Sequence, residues 1–191
     1  MPRSRRPELP ARPRARGTLA GLACAWLALS APGHAGAEAV AQLEGRFARS
    51  SLLIESAEAA TCYHFATYLA RSDTQRSRGL MFVRSLPRFT AMLFWFPAGQ
   101  SPAMWMRNTY IPLDMLFIDD AGRVVHVAAD AEPHSLRTIA SPEPSRYVLE
   151  INGGLAEALG VRAGDRVLHA WFSLGWPEAL SDAATAASGR D

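Results

Sequence analysis

Lysine is absent from this chain: all 20 basic residues are arginine, set against 18 acidic residues and 5 histidines. A Schiff-base lysine mechanism is therefore excluded outright. Cysteine is scarce as well, with Cys24 and Cys62 alone. Cys24 lies in an N-terminal segment that reads as removable. Without it, one thiol remains, no internal disulfide can form, and stability must come from packing. Cys62 then reads as a small core residue, the sharper alternative being a redox or metal thiol beside His64. No apolar run reaches the roughly 20 residues a membrane-spanning helix needs. No CxxC, HExxH, GxSxG or phosphate-cradling glycine pattern occurs in a credible context. Nor does any period of about 20–50 residues mark a repeat protein.

What is present begins with an export pattern. Met1 to Arg16 carry six arginines and Glu8, an apolar run follows from Leu19 to Ala31, and Ala35-Gly36-Ala37 supplies a small-x-small cleavage pattern. Residues 1–37 are thus expected to be a cleaved signal, with an uncleaved N-terminal anchor as the alternative. Ser4-Arg5-Arg6 hints at twin-arginine export, which the proline-containing gap before the apolar run weakens. Removing the signal leaves 14 basic residues (20 − 6) and 17 acidic ones (18 − 1), a net charge near −3. No basic stripe remains to neutralise phosphates, so nucleic acid is not an expected partner. Membrane contact is expected only through residues 1–37, and the destination is periplasmic or secreted.

The remaining chain divides into a leader over 38–49, one β-rich domain over 50–173 and a loose tail over 174–191. Strands are expected at Leu52–Glu55, Tyr63–Ala70, Ala91–Phe96, Ala103–Met106, Leu113–Ile118, Val124–Ala129 and Tyr147–Ile151. In "RSDTQRSRGLMF", Ser72 stands three residues before Gln75, a capping-box spacing, with Asp73 in the first turn of a helix. Gly79 marks either the end of that helix or a close backbone approach. Asp119 to Gly122 make a tight turn, and residues 130–145 a long irregular loop. "GGLAEALGV" is a second short helix ending at Gly160. "AGDRVLHAWF" is a turn at Gly164-Asp165 feeding a last strand. Short strands, two short helices and no regular βαβ alternation predict an α+β fold, a small mixed β-barrel. The "LEINGGLAEALGVRAGDRV" stretch is similar to the strand–helix–turn unit of cradle-loop and double-psi barrels.

The chemistry-bearing residues sit in apolar company. Asp114 shares a strand face with Leu116 and Ile118, and Glu150 shares one with Val148 and Asn152. Burying such groups unpartnered costs roughly 2–7 kcal/mol. Arg107 and Asn108, in the turn before Asp114, are natural partners. The commoner role for a buried carboxylate is structural, with Asp114 accepting from turn backbone and Arg107. The sharper reading is a recognition patch of Trp105, Arg107, Asn108, Asp114, Glu150 and Asn152 for a small polar ligand, with Trp105 and Tyr110 as stacking walls. If there is catalysis, Asp114 and Glu150 are the candidate acid–base pair, acting on an envelope saccharide. A weaker alternative is Cu(I) handling by Met81, Met92, Met104, Met106 and Met115, with Cys62, His64, His126 or His134 completing the site. Methionine is, however, mainly a flexible core filler. No cofactor and no dedicated metal site are expected.

Four segments in order, "QRSRGLMFVRSLP", "MLFWFP", "MWMRNTYIPLDMLFIDDAGRVV" and "RYVLEINGGLAEALGVRAGDRV", resemble the domain of unknown function 192 family over about residues 50–170. The resemblance implies a small, often exported β-rich domain and brings no established reaction. It carries over Arg78, Gly79, Leu80 and Met81; Trp105, Met106, Asn108 and Thr109; Pro112, Leu113 and Asp114; Glu150, Asn152 and Gly154; and Gly164 with Asp165. The chain departs from the family pattern at Arg107, where lysine is common, and at Met104, where an aromatic is common. It also lacks a cysteine pair that some relatives carry in the 130–145 loop. Together these features predict an exported ligand-binding or envelope-accessory module.

Overall fold

Residues 41–173 are described in the computed structural model of the chain; the expected signal over 1–37, the start of the leader and the expected tail from 174 lie outside them. The strands are β1 (Ala48–Ser56), β2 (Thr61–Ala70), β3 (Thr90–Trp95), β4 (Ala103–Met104), β5 (Leu113–Ile118), β6 (Val124–Ala131), β7 (Ile139–Ala140), β8 (Tyr147–Asn152) and β9 (Arg166–Leu168). Two short helices join them, α1 (Asp73–Arg78) between β2 and β3 and α2 (Leu155–Ala158) between β8 and β9, and α3 (Ala170–Ser173) follows β9. No helix of the described residues is long and apolar enough to cross a membrane.

Seven strands make one sheet in the order β6-β5-β8-β3-β2-β1-β9, and β4 pairs with β7 separately. Only β2 and β3 run parallel, because the segment carrying α1 returns the chain to the same end of the sheet. The sheet curls into a half-barrel, as the α+β expectation requires. Its two outer strands are drawn together by an antiparallel bridge between Arg123 and Arg166. There Val124 N–H donates to the Asp165 carbonyl at 2.9 Å and Val167 N–H to that of Gly122 at 2.7 Å. Gly122 is required at this seam: its φ is +80°, and a Cβ would lie 2.6 Å from the Val167 carbonyl oxygen.

Both faces of the sheet are covered. One packs Leu52, Phe65, Leu93, Leu149 and Ile151 against Leu155 and Leu159 of the α2 segment. The other packs Met92, Phe94, Met115 and Val148 under Leu80, Met104 and Met106. This two-sided burial explains why "AMLFWF" and "LDMLFI" are apolar without alternation.

The structure differs from the sequence expectations in several places. The β-rich fold starts at Ala48 rather than 50, and Leu43 and Phe47 of the leader are buried in the second cluster. The exposed "ARSS" start of β1 shows no alternation, so only its pairing with β2 reveals it. Cys62 is exposed, not core; strand parity turns Cys62 and His64 outward while Phe65 turns in. The 130–145 loop is shorter than expected, because β6 runs to Ala131 and β7 pairs with β4. That pairing uses Ala103 and Met104, so the strand expected to reach Met106 stops at Met104. The last strand ends at Leu168, and α3 follows because Trp171 and Phe172 pack on Tyr147, with centroids 6.3 and 4.8 Å away.

Candidate functional site

The register of β5 on β8 settles where the two carboxylates go. It sets Met115 opposite Glu150 and Asp114 opposite Ile151. Residues directly opposed across a ladder point to the same face. Glu150 therefore belongs with Met115 on one side of the sheet, and Asp114 with Ile151 on the other. The expected meeting of the two acids beside Arg107 does not occur. The carboxylate-pair hydrolase falls with it, since that chemistry needs two carboxyl groups facing one substrate.

Asp114 is fully buried and saturated with backbone donors. Its Oδ1 accepts from Asp130 N–H (2.7 Å) and Gly154 N–H (3.0 Å), and its Oδ2 from Ala156 N–H (2.7 Å). Gly154 has no side chain with which to cap α2. Asp114 performs that role from another strand, placing negative charge at the helix start where free N–H groups converge. Its expected structural role stands, but its partners are these amides and not Arg107.

Glu150 is the opposite case. It is 4 % exposed, and its Oε2 carries no hydrogen bond. Burial pushes its carboxyl up to about 8, so it holds a proton at neutral pH. It lines a cleft of about 330 Å³ between α1, the outer face of β3 and β8, and the arginine turn. Leu80, Met81, Phe94, Phe96 and Met104 supply apolar wall, and Trp105, 47 % exposed, stands at the mouth. Arg76, Arg78 and Arg107 make the lining electropositive. Arg76 is held by Asp73 and by the Arg71 and Trp95 carbonyls. Arg78 and Arg107 form no ion pair with any described carboxylate; their guanidinium carbons sit 4.6 Å and 5.9 Å from the ring centroids of Phe82 and Trp105.

The turn that presents Trp105 and Arg107 is held under strain. Phe82, Asn108 and His134, none of them glycine, have φ of 68°, 55° and 64°. Such conformations cost about 1–3 kcal/mol each and persist only where surroundings over-determine them. Here Phe82 N–H donates to the Asn108 carbonyl, His134 N–H to that of Thr109, and Met106 N–H to that of Ser135. Three loops are thereby tied at the edge of the cleft.

Of the residues expected to form one patch, the cleft brings together Trp105, Arg107 and Glu150. Asn108 shapes the turn, its amide reaching the Met81 sulfur at 3.9 Å. Asn152 instead ties β8 to the Leu86 and Pro87 carbonyls. Tyr110 packs edge-on against Phe82 and is not a wall of the cleft. Of the proposed copper donors, four methionines share the second core cluster, whereas Cys62 and His64 are exposed on β2 and do not join them. His126 lies against Phe117 and His134 against Tyr110. Among the described residues, no group of three His, Cys, Asp or Glu side chains is placed to hold a metal.

Arg76, Arg78 and Phe96 were missing from the expected patch. The "QRSRGLMF" segment was the signal for Arg76 and Arg78 and "MLFWFP" that for Phe96, and nothing local links either to β8. Gly79, in the first of these segments, serves both purposes considered for it. It ends α1 with φ +43° and ψ −137°, and a Cβ there would lie 3.1 Å from the Phe94 ring. Gly79→Ala is expected to lower stability by about 2 kcal/mol in urea denaturation. An unchanged midpoint would show that this backbone relaxes freely.

The DUF192 family, described as "Uncharacterized ACR", matches residues 54–169, a span that includes the whole cleft lining. Two crystal structures are similar. A Sinorhizobium meliloti protein described as a "putative transcription regulator" is 39 % identical with a TM-score of 0.61, covering 64 % of this chain and 94 % of its own. A Novosphingobium aromaticivorans protein of unknown function is 35 % identical with a TM-score of 0.61, covering 63 % and 85 %. No curated protein matches the chain.

Proposed function

The chain belongs to the domain of unknown function 192 family, and from that premise we propose that it is an exported ligand-binding module whose site is the Glu150 cleft. One observation carries the binding reading: a buried carboxyl whose Oε2 has no hydrogen bond lines an open cleft of small-molecule size. Natural folds satisfy buried polar atoms, so an unmet one on a residue that lines a cleft supports a ligand completing the bonding there. Export rests on the arginine-rich start, the apolar run and the Ala35-Gly36-Ala37 pattern.

Thermal-shift screening against sugars, metabolites and metals tests the binding reading. A ligand present at about 100 times its Kd stabilises the folded state by about 2.7 kcal/mol, a shift of several degrees. Trp105→Ala is expected to abolish the shift while leaving the unliganded melting temperature within about a degree, because the indole is half exposed. A ligand whose shift survives that change binds elsewhere and removes the assignment. Export is checked separately by sequencing the N-terminus of the protein from its host, where a start near residue 38 is expected. An intact Met1 in the cytoplasm would refute export and leave the cleft untouched.

A further inference from the structure

We infer that the cleft takes a small organic anion whose acidic group lies between Arg78 and Arg107 and whose amide or hydroxyl reaches Glu150. This rests on the cleft being a binding site and names the class of ligand. The charge argument comes first. Three arginines line the cleft, and among the described residues its carboxylates are Asp73, engaged by Arg76, and Glu150. The Arg78 and Arg107 guanidinium carbons lie 4.6 Å and 5.9 Å from the Phe82 and Trp105 ring centroids, and neither is ion-paired with a described carboxylate. A guanidinium with no carboxylate partner presents an N–H fork that matches two oxygens of a carboxylate or phosphate.

The interior sets the other end of the ligand. A protonated Glu150 offers one donor and one acceptor and no charge, so its complement is an amide or a hydroxyl. A cation would meet only repulsion from the arginines. Phe94, Phe96, Met81 and Met104 line the same cleft and ask for an apolar or planar body. Thioethers adapt to such a body without a fixed shape. The volume admits a molecule and not a polymer.

Titrations of the isotope-labelled full chain, followed by amide chemical shifts, test this with four probes. They are N-acetylphenylalanine, 1-naphthyl phosphate, the neutral primary amide of N-acetylphenylalanine, and phenylethylamine. The anions are expected to move the Arg78, Gly79 and Arg107 amides and the Trp105 indole N–H saturably, with the neutral amide and the amine at least about tenfold weaker. Preference for one anion over the other identifies the acidic group as carboxylate or phosphate and supports the inference. In Arg107→Gln, an exposed site where the fold has little to lose, the anion advantage should fall about tenfold with the remaining spectrum unchanged. If the neutral amide or the amine binds as well as the anions, the ligand class is wrong and the binding site stands. If none of the four moves those signals, the ligand class is wrong, and the binding reading is decided by the thermal-shift screen alone.

Discussion

Replacing Asp114 by asparagine is expected to remove about 3 kcal/mol of stability, read from urea denaturation at neutral pH. The carboxylate accepts three backbone N–H groups, two on Oδ1 and one on Oδ2. Asparagine keeps an oxygen for two of them and turns its NH2 towards the third. The buried Ala156 N–H then faces a donor and loses its partner. Hydrogen bonds to a charged group are worth about 1.5–3 kcal/mol, and an orphaned buried donor adds about 1–3 kcal/mol of desolvation. The negative charge at the start of α2 goes as well. Because α2 carries Leu155 and Ala156 into the core inside the curled sheet, the damage spreads to packing. Ligand-induced shifts in the Glu150 cleft should persist in this variant, since Asp114 is on the other face of the sheet. A variant of unchanged stability would refute the capping role.

The second large effect is at Glu150. Its folded-state value of about 8 lies above the ordinary 4.5, so the folded chain keeps a proton that the unfolded chain releases between those values. The contribution is fully present below about pH 4.5, falls as pH rises towards 8 and is level beyond. Burial thus lowers stability at neutral pH by at most roughly 3 kcal/mol. Glu150→Gln has nothing to titrate. Relative to the unaltered chain, it should gain roughly 3–4 kcal/mol between pH 5 and pH 8, whatever its absolute stability. His169, which burial holds below 6.5, pulls in the opposite sense in both proteins and cancels in the difference. A difference that stays flat with pH would mean that Glu150 is solvated and normally titrating. The same result would take away the unmet carboxyl on which the binding reading stands.

The two acids show what a single chain reveals. Strand parity separated Asp114 from Met115 and grouped Glu150 with Asn152, and both placements hold within each strand. Nothing in one strand gives its register against another, and a shift of one residue would have put the acids on the same face. Side-chain identity alone had made them look like a pair. The capping box was legible because its partners, Ser72 and Gln75, are three residues apart. The β4–β7 ladder was not, because two residues carry no period. Cys62 shows the limit of residue type: a small apolar preference yielded to the alternation of β2.

By itself the sequence determined the short-range features: the helix start at Ser72, the turn at Gly164-Asp165, most of the strands and the absence of lysine chemistry. These depend on neighbours a few residues apart or on composition, and both are written along the chain. Only the tertiary structure decided which face each acid occupies, that Asp114 caps a helix some 40 residues away in the chain, and that α1 and the arginine turn close over Glu150. Those outcomes come from pairing register and from loop packing between segments far apart, where many alternatives have similar local energies and only the assembled core selects among them.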